Sequence, residues 1–179
     1  MSIERLQEIL PPFAKDLKLN LSTLLRQTEL TEQQLWGTAL ASAIASRNAV
    51  VVSEITEEAV KHLSPEAANA AKTTAAIMGM NNIYYRFLHF TSNSKYSTIP
   101  ARLRMNGLRT HGIEQKDVEL WSTAVSAING CGACVEAHQK KLVDEGVPEE
   151  MILAAIRIAS VVHAAASVLD AEVVVAQTV

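Results

Sequence analysis

Apolar positions in this chain recur three and four residues apart, and the polar residues between them fall where helices start and stop. A short amphipathic helix is expected to begin near Ile3 and to run into Pro11-Pro12. Phe13, Leu17, Leu21, Leu24 and Leu25 then form a second helical stripe. Thr31-Glu32-Gln33-Gln34 has the form of a capping box, which opens a third helix reaching about residue 47. A further helix is expected over 50–62. Ser64-Pro65-Glu66 reads as N-cap, first-turn proline and acidic first turn, and opens a helix to about residue 85. The stretch 91–112, rich in Ser, Thr, Asn, Pro and Gly, is expected to be irregular. Helical patterning resumes over 115–129, breaks at Gly130, continues through two cysteines to Gly146, and restarts at Val147-Pro148-Glu149. Strand-type alternation is hard to find, so the fold class is all-α.

The pattern also repeats. Leu35-Trp36-Gly37-Thr38-Ala39 matches Leu120-Trp121-Ser122-Thr123-Ala124, and Ser42-Ala43-Ile44 matches Ser126-Ala127-Ile128. Ser64-Pro65-Glu66 and Val147-Pro148-Glu149 hold similar places before a long apolar helix. The chain therefore reads as one domain, 1–179, with two diverged helical halves at about 31–90 and 115–179. In the first half, the positions matching the cysteines and their histidine hold Ser46, Ala49 and Ser53. A helical unit without Cys or His there invites a chemical explanation for the second set.

Composition narrows the class. With 49% hydrophobic and 20% charged residues, 179 residues suffice to bury a core without covalent staples. A net charge of -3 gives no footprint for nucleic acid or an anionic membrane. The most apolar stretch, 151–179, carries Arg157, His163, Asp170 and Glu172, which argues for a buried helix rather than a membrane span. The opening Met1-Ser2-Ile3-Glu4-Arg5 mixes charges and no signal-type run follows, so the expected location is cytoplasmic.

The two cysteines, Cys131 and Cys134, form the chain's only Cys-x-x-Cys. A local pair in a cytosolic protein reads as redox-active. Zinc is disfavoured, because a closed site needs four ligands and no second Cys-x-x-Cys or His-x-His exists, so no metal is expected. If the segment is helical from near Cys131, spacings of three and four put Cys131, Cys134 and His138 on one face. Gly130 and Gly132 free the backbone at the helix start, where exposed amides and the dipole favour a thiolate. A thiolate attacks peroxide oxygen, and a second thiol protects the resulting sulfenic acid from further oxidation. Spacing does not settle which sulfur attacks, although His138 lies one turn beyond Cys134 and two beyond Cys131, favouring Cys134. Ala133, about 100° around from Cys134, is expected to point off the dithiol face. Glu119 cannot be aimed at the cysteines by periodicity, and alone it reads as a solvated first-turn acid. His62, His89, His111 and His163 read as surface or packing residues, and Met78-Gly79-Met80 as helix packing.

Longer strings carry a family likeness. Met1-Ser2-Ile3-Glu4-x-Leu6, Leu35-Trp36-Gly37-Thr38-x-Leu40-Ala41-Ser42-Ala43, Ala75-Ala76-Ile77-Met78-Gly79-Met80-Asn81-Asn82 and Glu119-Leu120-Trp121-x-x-Ala124-Val125-Ser126-Ala127-Ile128-Asn129-Gly130-Cys131 span essentially the whole chain. In these the sequence resembles alkyl hydroperoxide reductase D, the AhpD alkylhydroperoxidases of the carboxymuconolactone decarboxylase-like superfamily. The resemblance implies an all-helical subunit, usually a homotrimer, acting as an antioxidant peroxidase on hydrogen peroxide and alkyl hydroperoxides. By position, Cys134 matches the peroxidatic cysteine that becomes sulfenic acid, and Cys131 the resolving cysteine and proton donor. The two would form the redox disulfide, with His138 and Glu119 matching a proton-relay pair. No tightly bound cofactor is implied. The implied reductant is a dihydrolipoyl group on an acyltransferase subunit, recharged by lipoamide dehydrogenase and NADH. A disulfide from Cys134 to the peroxiredoxin AhpC is also implied. Where well-known members hold a histidine between the cysteines, this chain has Ala133.

The same dithiol would serve a thiol-disulfide adaptor that regenerates a peroxiredoxin without significant peroxidase activity of its own. The decarboxylase branch of the superfamily does not need this Cys-x-x-Cys, so the pair counts against it.

Overall fold

The computed structural model describes residues 2–24 and 26–178, and every regular element among them is helical. In chain order these are α1 (Ser2–Ile9), α2 (Lys15–Leu24), α3 (Glu32–Ser46), α4 (Ala49–Ala59), α5 (Pro65–Phe90), α6 (Lys95–Thr98), α7 (Gln115–Ile128), α8 (Gly132–Asp144) and α9 (Glu149–Thr178). Single 3-10 turns lie at Pro12–Ala14 and Asn106–Leu108. The all-α expectation holds. Bounds differ in places: α4 ends before residue 62, α5 runs on past residue 85, and the stretch 91–112 contains both α6 and a 3-10 turn. Phe13, assigned to the second stripe, is 74% exposed, whereas Leu21 of that stripe is buried. Leu25 lies outside the described residues.

Two helices form the centre. α3 is buried continuously over 34–43 and α7 over 117–126, so neither shows one wet and one dry face. Their apolar surface is mostly small, Ala39, Ala41 and Ala43 on α3 and Ala124 on α7, which lets neighbouring backbones approach closely. α3 packs against α4, α5, α7 and α9, and α7 against α5, α8 and α9. The predicted capping box is present: the Thr31 hydroxyl accepts from the Gln34 amide, and Gln34 Oε1 accepts from the Thr31 amide. The other end of the Gln34 side chain donates to Asp117 Oδ1 at 2.8 Å, and Gln33 donates to Asp117 Oδ2 at 2.7 Å. The buried Asp117 is thereby satisfied by two amides from α3, which ties the starts of α3 and α7 together.

α9 presents Ile152, Ala155, Ile158, Val162, Ala165 and Leu169 at helical spacing to this core. By length and composition α9 could cross a membrane, and half of its apolar stretch is buried inside the molecule. Its other face leaves Leu153, Val173, Val174 and Val175 exposed, so it is a core helix on one side only.

A candidate dithiol site

The end of α7 places the cysteines. Gly130 adopts φ 66°, the left-handed conformation in which a side chain is disfavoured. Its amide donates to Ala127 O at 3.1 Å, and the Cys131 amide donates to Ser126 O at 3.0 Å. This is a Schellman stop, which turns the chain sharply so that α8 packs back on α7. α5 secures the turn from the side. Arg86 Nη1 donates to Asn129 O at 2.6 Å, Asn129 Nδ2 donates to Asn82 Oδ1, and Asn82 Nδ2 donates to Ser126 Oγ.

α8 begins at Gly132, so Cys131 is its N-cap, with φ −96° and ψ 87°, and not a helical residue. The expected face holding Cys131, Cys134 and His138 is therefore only half right. Cys134 and His138 share a helical stripe, while Cys131 reaches Cys134 from the cap. The sulfurs are joined as a disulfide across a Cα–Cα distance of 5.3 Å. N-cap and third helical position are where side chains meet the free amides of a helix start, a setting that favours thiolates once the bond is reduced.

Both sulfurs are buried, Cys131 at 0% and Cys134 at 5% exposure, but they differ in what they border. Cys134 lines a cavity of about 570 Å³, and Cys131 does not. α8 also contributes Ala133, Ala137, His138 and Lys141 to the wall, and α7 contributes Gln115 and Glu119. Facing them are Met78, Asn81 and Tyr85 of α5, and Leu103, Met105, Leu108 and Arg109 from the connection before α7. Two expectations are corrected here. Ala133 lies on the cavity wall beside Cys134, because the cavity wraps around the first turn of α8 rather than following one stripe. Glu119 is not a solvated acid: it is 6% exposed.

Burial alone would push the Glu119 carboxyl up. Hydrogen bonds from His138, Lys141 and Gln115, with the charge of His138, outweigh it and lower the group from 4.5 to about 2. His138 Nδ1 lies 2.7 Å from Glu119 Oε2, while Lys141 Nζ and Gln115 Nε2 lie 2.5 and 2.6 Å from Oε1. With Nδ1–H donating to the carboxylate, Nε2 is the ring nitrogen left free to exchange a proton.

Sequence reading missed several of these groups. Lys141 was visible in the stripe 134, 138, 141, and Gln115 in its four-residue spacing to Glu119. His111 is not merely a surface residue, since its Nε2 meets Gln115 Oε1 at 3.1 Å and so borders the same network. His62 stacks on Trp36 with ring centroids 4.6 Å apart, and His163 meets Ser46 Oγ at 3.3 Å, in keeping with packing roles. Met78 is buried, as a packing residue would be, and also lines the cavity. No cluster of His, Cys, Asp and Glu among the described residues could hold a metal ion.

Comparison with known proteins shows the family. A model of the carboxymuconolactone decarboxylase family matches residues 96–177. The alkyl hydroperoxide reductase AhpD of Acidobacterium capsulatum is 60% identical over 173 residues, which covers 96% of this chain and 94% of that protein. The chain belongs to the AhpD family. The AhpD of Solibacter usitatus is 55% identical over 96% of this chain and 97% of its own length, and that of Frankia alni 54% over 96% and 92%. AhpD membership thus extends over both central helices, the Schellman turn and α8, and is not confined to the segment the family model matches.

Proposed function

We propose that this chain is an antioxidant thiol peroxidase that reduces hydrogen peroxide and alkyl hydroperoxides through a Cys131–Cys134 dithiol cycle. The observation that carries the reading is a Cys-x-x-Cys disulfide whose outer sulfur, Cys134, borders the same cavity as a histidine hydrogen-bonded to a buried glutamate. In the reduced protein the Cys134 thiolate attacks the terminal peroxide oxygen. The O–O bond breaks, an alcohol or water leaves with a proton, and Cys134 becomes a sulfenic acid. The Cys131 thiolate displaces water from that sulfur and closes the disulfide. His138, held by Glu119, takes the thiol proton and returns one to the leaving oxygen.

A dihydrolipoyl group then reduces the disulfide by two thiol exchanges, itself oxidised to lipoyl. The acyltransferase that carries it, lipoamide dehydrogenase and NADH complete the supply, in the cytoplasm. AhpC is the second partner, joined through Cys134 as a mixed disulfide. The exposed α5 stripe Ile83, Phe87 and Phe90 suits subunit contacts in a homotrimer.

Peroxide consumption by the pure protein with dihydrolipoamide, with and without a peroxiredoxin, tests the reading. Cys134→Ser should abolish turnover. Cys131→Ser should stop after one attack, leaving a sulfenic acid on Cys134 that dimedone traps. His138→Phe and Glu119→Phe should each slow attack on the order of a hundredfold. Turnover seen only when a peroxiredoxin is added would identify an adaptor instead, and a primary adduct on Cys131 would reverse the assignment of the sulfurs.

A further inference from the structure

The connection between α6 and α7 carries three arginines, Arg102, Arg104 and Arg109, against one acid, Glu114, in a chain whose net charge is -3. Of the three, only Arg109 reaches the wall of the Cys134 cavity, and it is exposed, so it stands where the cavity opens to solvent. Its backbone amide donates to Asn106 O at 2.9 Å. Its guanidinium forms no ion pair or hydrogen bond with any described residue, the sulfur of Cys134 included. The other charged side chains of the wall are engaged with one another. Lys141 and His138 both meet Glu119, the one carboxylate among the described lining residues. The remaining polar groups of the lining are amides, the Tyr85 phenol and Cys134 itself. Met78, Leu103, Met105 and Leu108 supply its bulkiest apolar surface. The cavity thus combines a cysteine with its acid–base groups, an apolar wall, and an uncompensated guanidinium at the rim.

From this we infer that Arg109 is a specificity-determining residue, which binds the carboxylate of an amphipathic hydroperoxide, such as a fatty-acid hydroperoxide, whose O–OH group meets Cys134. The inference rests on the peroxidase reading above and deepens it by naming a substrate class. A planar guanidinium matches a carboxylate with two parallel hydrogen bonds, and the apolar wall would cover the carbon chain. The volume of about 570 Å³ lies within the range of roughly 300–1,000 Å³ usual for small-molecule sites, so hydrogen peroxide leaves most of it empty. A carboxylate and the Cys134 thiolate repel each other, which favours a substrate that keeps its anionic head apart from its reacting group. The carboxylate takes no part in the reaction. The thiolate sulfur attacks the terminal oxygen, the O–O bond breaks, and Cys134 becomes a sulfenic acid. The alkoxide takes up a proton and leaves as the corresponding hydroxy acid. Arg109 therefore holds ground state and transition state alike and acts through binding, not through the chemical step.

The test compares two substrates in one protein. In the full-length Cys131→Ser protein, the second-order rate constant for formation of the Cys134 sulfenic acid is measured with linoleate hydroperoxide and with its methyl ester, both kept below the concentration at which they aggregate. The ester has the same chain and the same reacting group but lacks the charge. The ratio of acid to ester rate constants should fall roughly three- to fivefold in Arg109→Met, and most of it should be retained in Arg109→Lys. Salt near about 1 M, which shortens the Debye length to about 3 Å, should lower the ratio in the parent and change it little in Arg109→Met. The salt response of the parent needs no substitution, and thermal melts establish that each variant is folded. A ratio in Arg109→Met equal to the parent's would overturn the inference. So would a parallel fall for both substrates, which would assign Arg109 to the thiol or the scaffold. If the parent reacts with neither hydroperoxide, the peroxidase reading itself fails, and this inference with it.

Discussion

Ala133 is the residue at which this chain departs from the best-known members of its family, and the structure changes what that departure means. Its methyl group lies on the wall of the Cys134 cavity, within the space that an imidazole at the same position would enter. It can neither donate nor accept a proton, so any acid–base work at the dithiol falls to His138, whose ring is already oriented by Glu119. Ala133→His should therefore alter turnover of hydrogen peroxide only modestly, far short of the loss expected from Cys134→Ser. Because the new ring would narrow the cavity, kcat/KM for a bulky hydroperoxide such as cumene hydroperoxide should fall more than that for hydrogen peroxide. Steady-state assays of both proteins under one dihydrolipoamide system decide this, and a natural protein that becomes active only as Ala133→His would sink it. At this scale the sequence was partly legible. Cys134 and His138 announce a shared stripe by spacing alone, whereas Lys141, three residues further along it, went unread. Glu119 does not, because its burial depends on α7 being enclosed by α3, α5, α8 and α9, a tertiary fact without a local signature.

At the scale of elements, the boundaries with chemical punctuation were the readable ones. Thr31 and Gln34 form the box they suggested, Ser64 caps α5 through the Ala67 amide, and Gly130 ends α7. α5 overran its expected end because no glycine or proline follows residue 85 until Pro100. The contact between α3 and α7 was less legible. Gly37 stands opposite Trp121, and a Cβ built there would lie 2.1 Å from Trp121 Cζ2. The indole is fully buried and its Nε1 donates to Gln34 O at 3.3 Å, so it has little freedom to withdraw. The second repeat carries Ser122 at the matching position, so sequence comparison alone makes Gly37 look replaceable. Gly37→Ala should instead destabilise the protein by roughly 1–3 kcal/mol, the usual range of overpacking costs, and lower Tm by roughly 2–12 °C. Calorimetry of the oxidised protein measures this. An unchanged melting temperature would mean that Trp121 repacks freely.

Over the whole molecule, the ionic network around Glu119 links the dithiol site to stability. Its carboxyl is lowered from 4.5 to about 2 in the folded state, against burial, by His138, Lys141 and Gln115. A depressed carboxylate contributes stability that is fully present above its unfolded value and is lost as pH falls through the folded one. The window here is therefore about pH 4.5 down to 2, and the lowering corresponds to at most about 3 kcal/mol at neutral pH. The chain has 19 acidic residues, so the acid limb of the wild-type curve alone cannot be assigned to one of them. The difference between wild type and Glu119→Gln can. That variant keeps the size of the side chain but removes the charge that Lys141 and His138 face. At pH 7 it should be less stable by up to about 3 kcal/mol, and the gap should close as pH falls from 4.5 towards 2. Urea denaturation of both oxidised proteins at pH 7, 4 and 2.5 gives the comparison directly. A gap that stays constant over that range would mean that the glutamate matters through its shape and hydrogen bonds, and that its ionisation contributes nothing to holding α7 and α8 together.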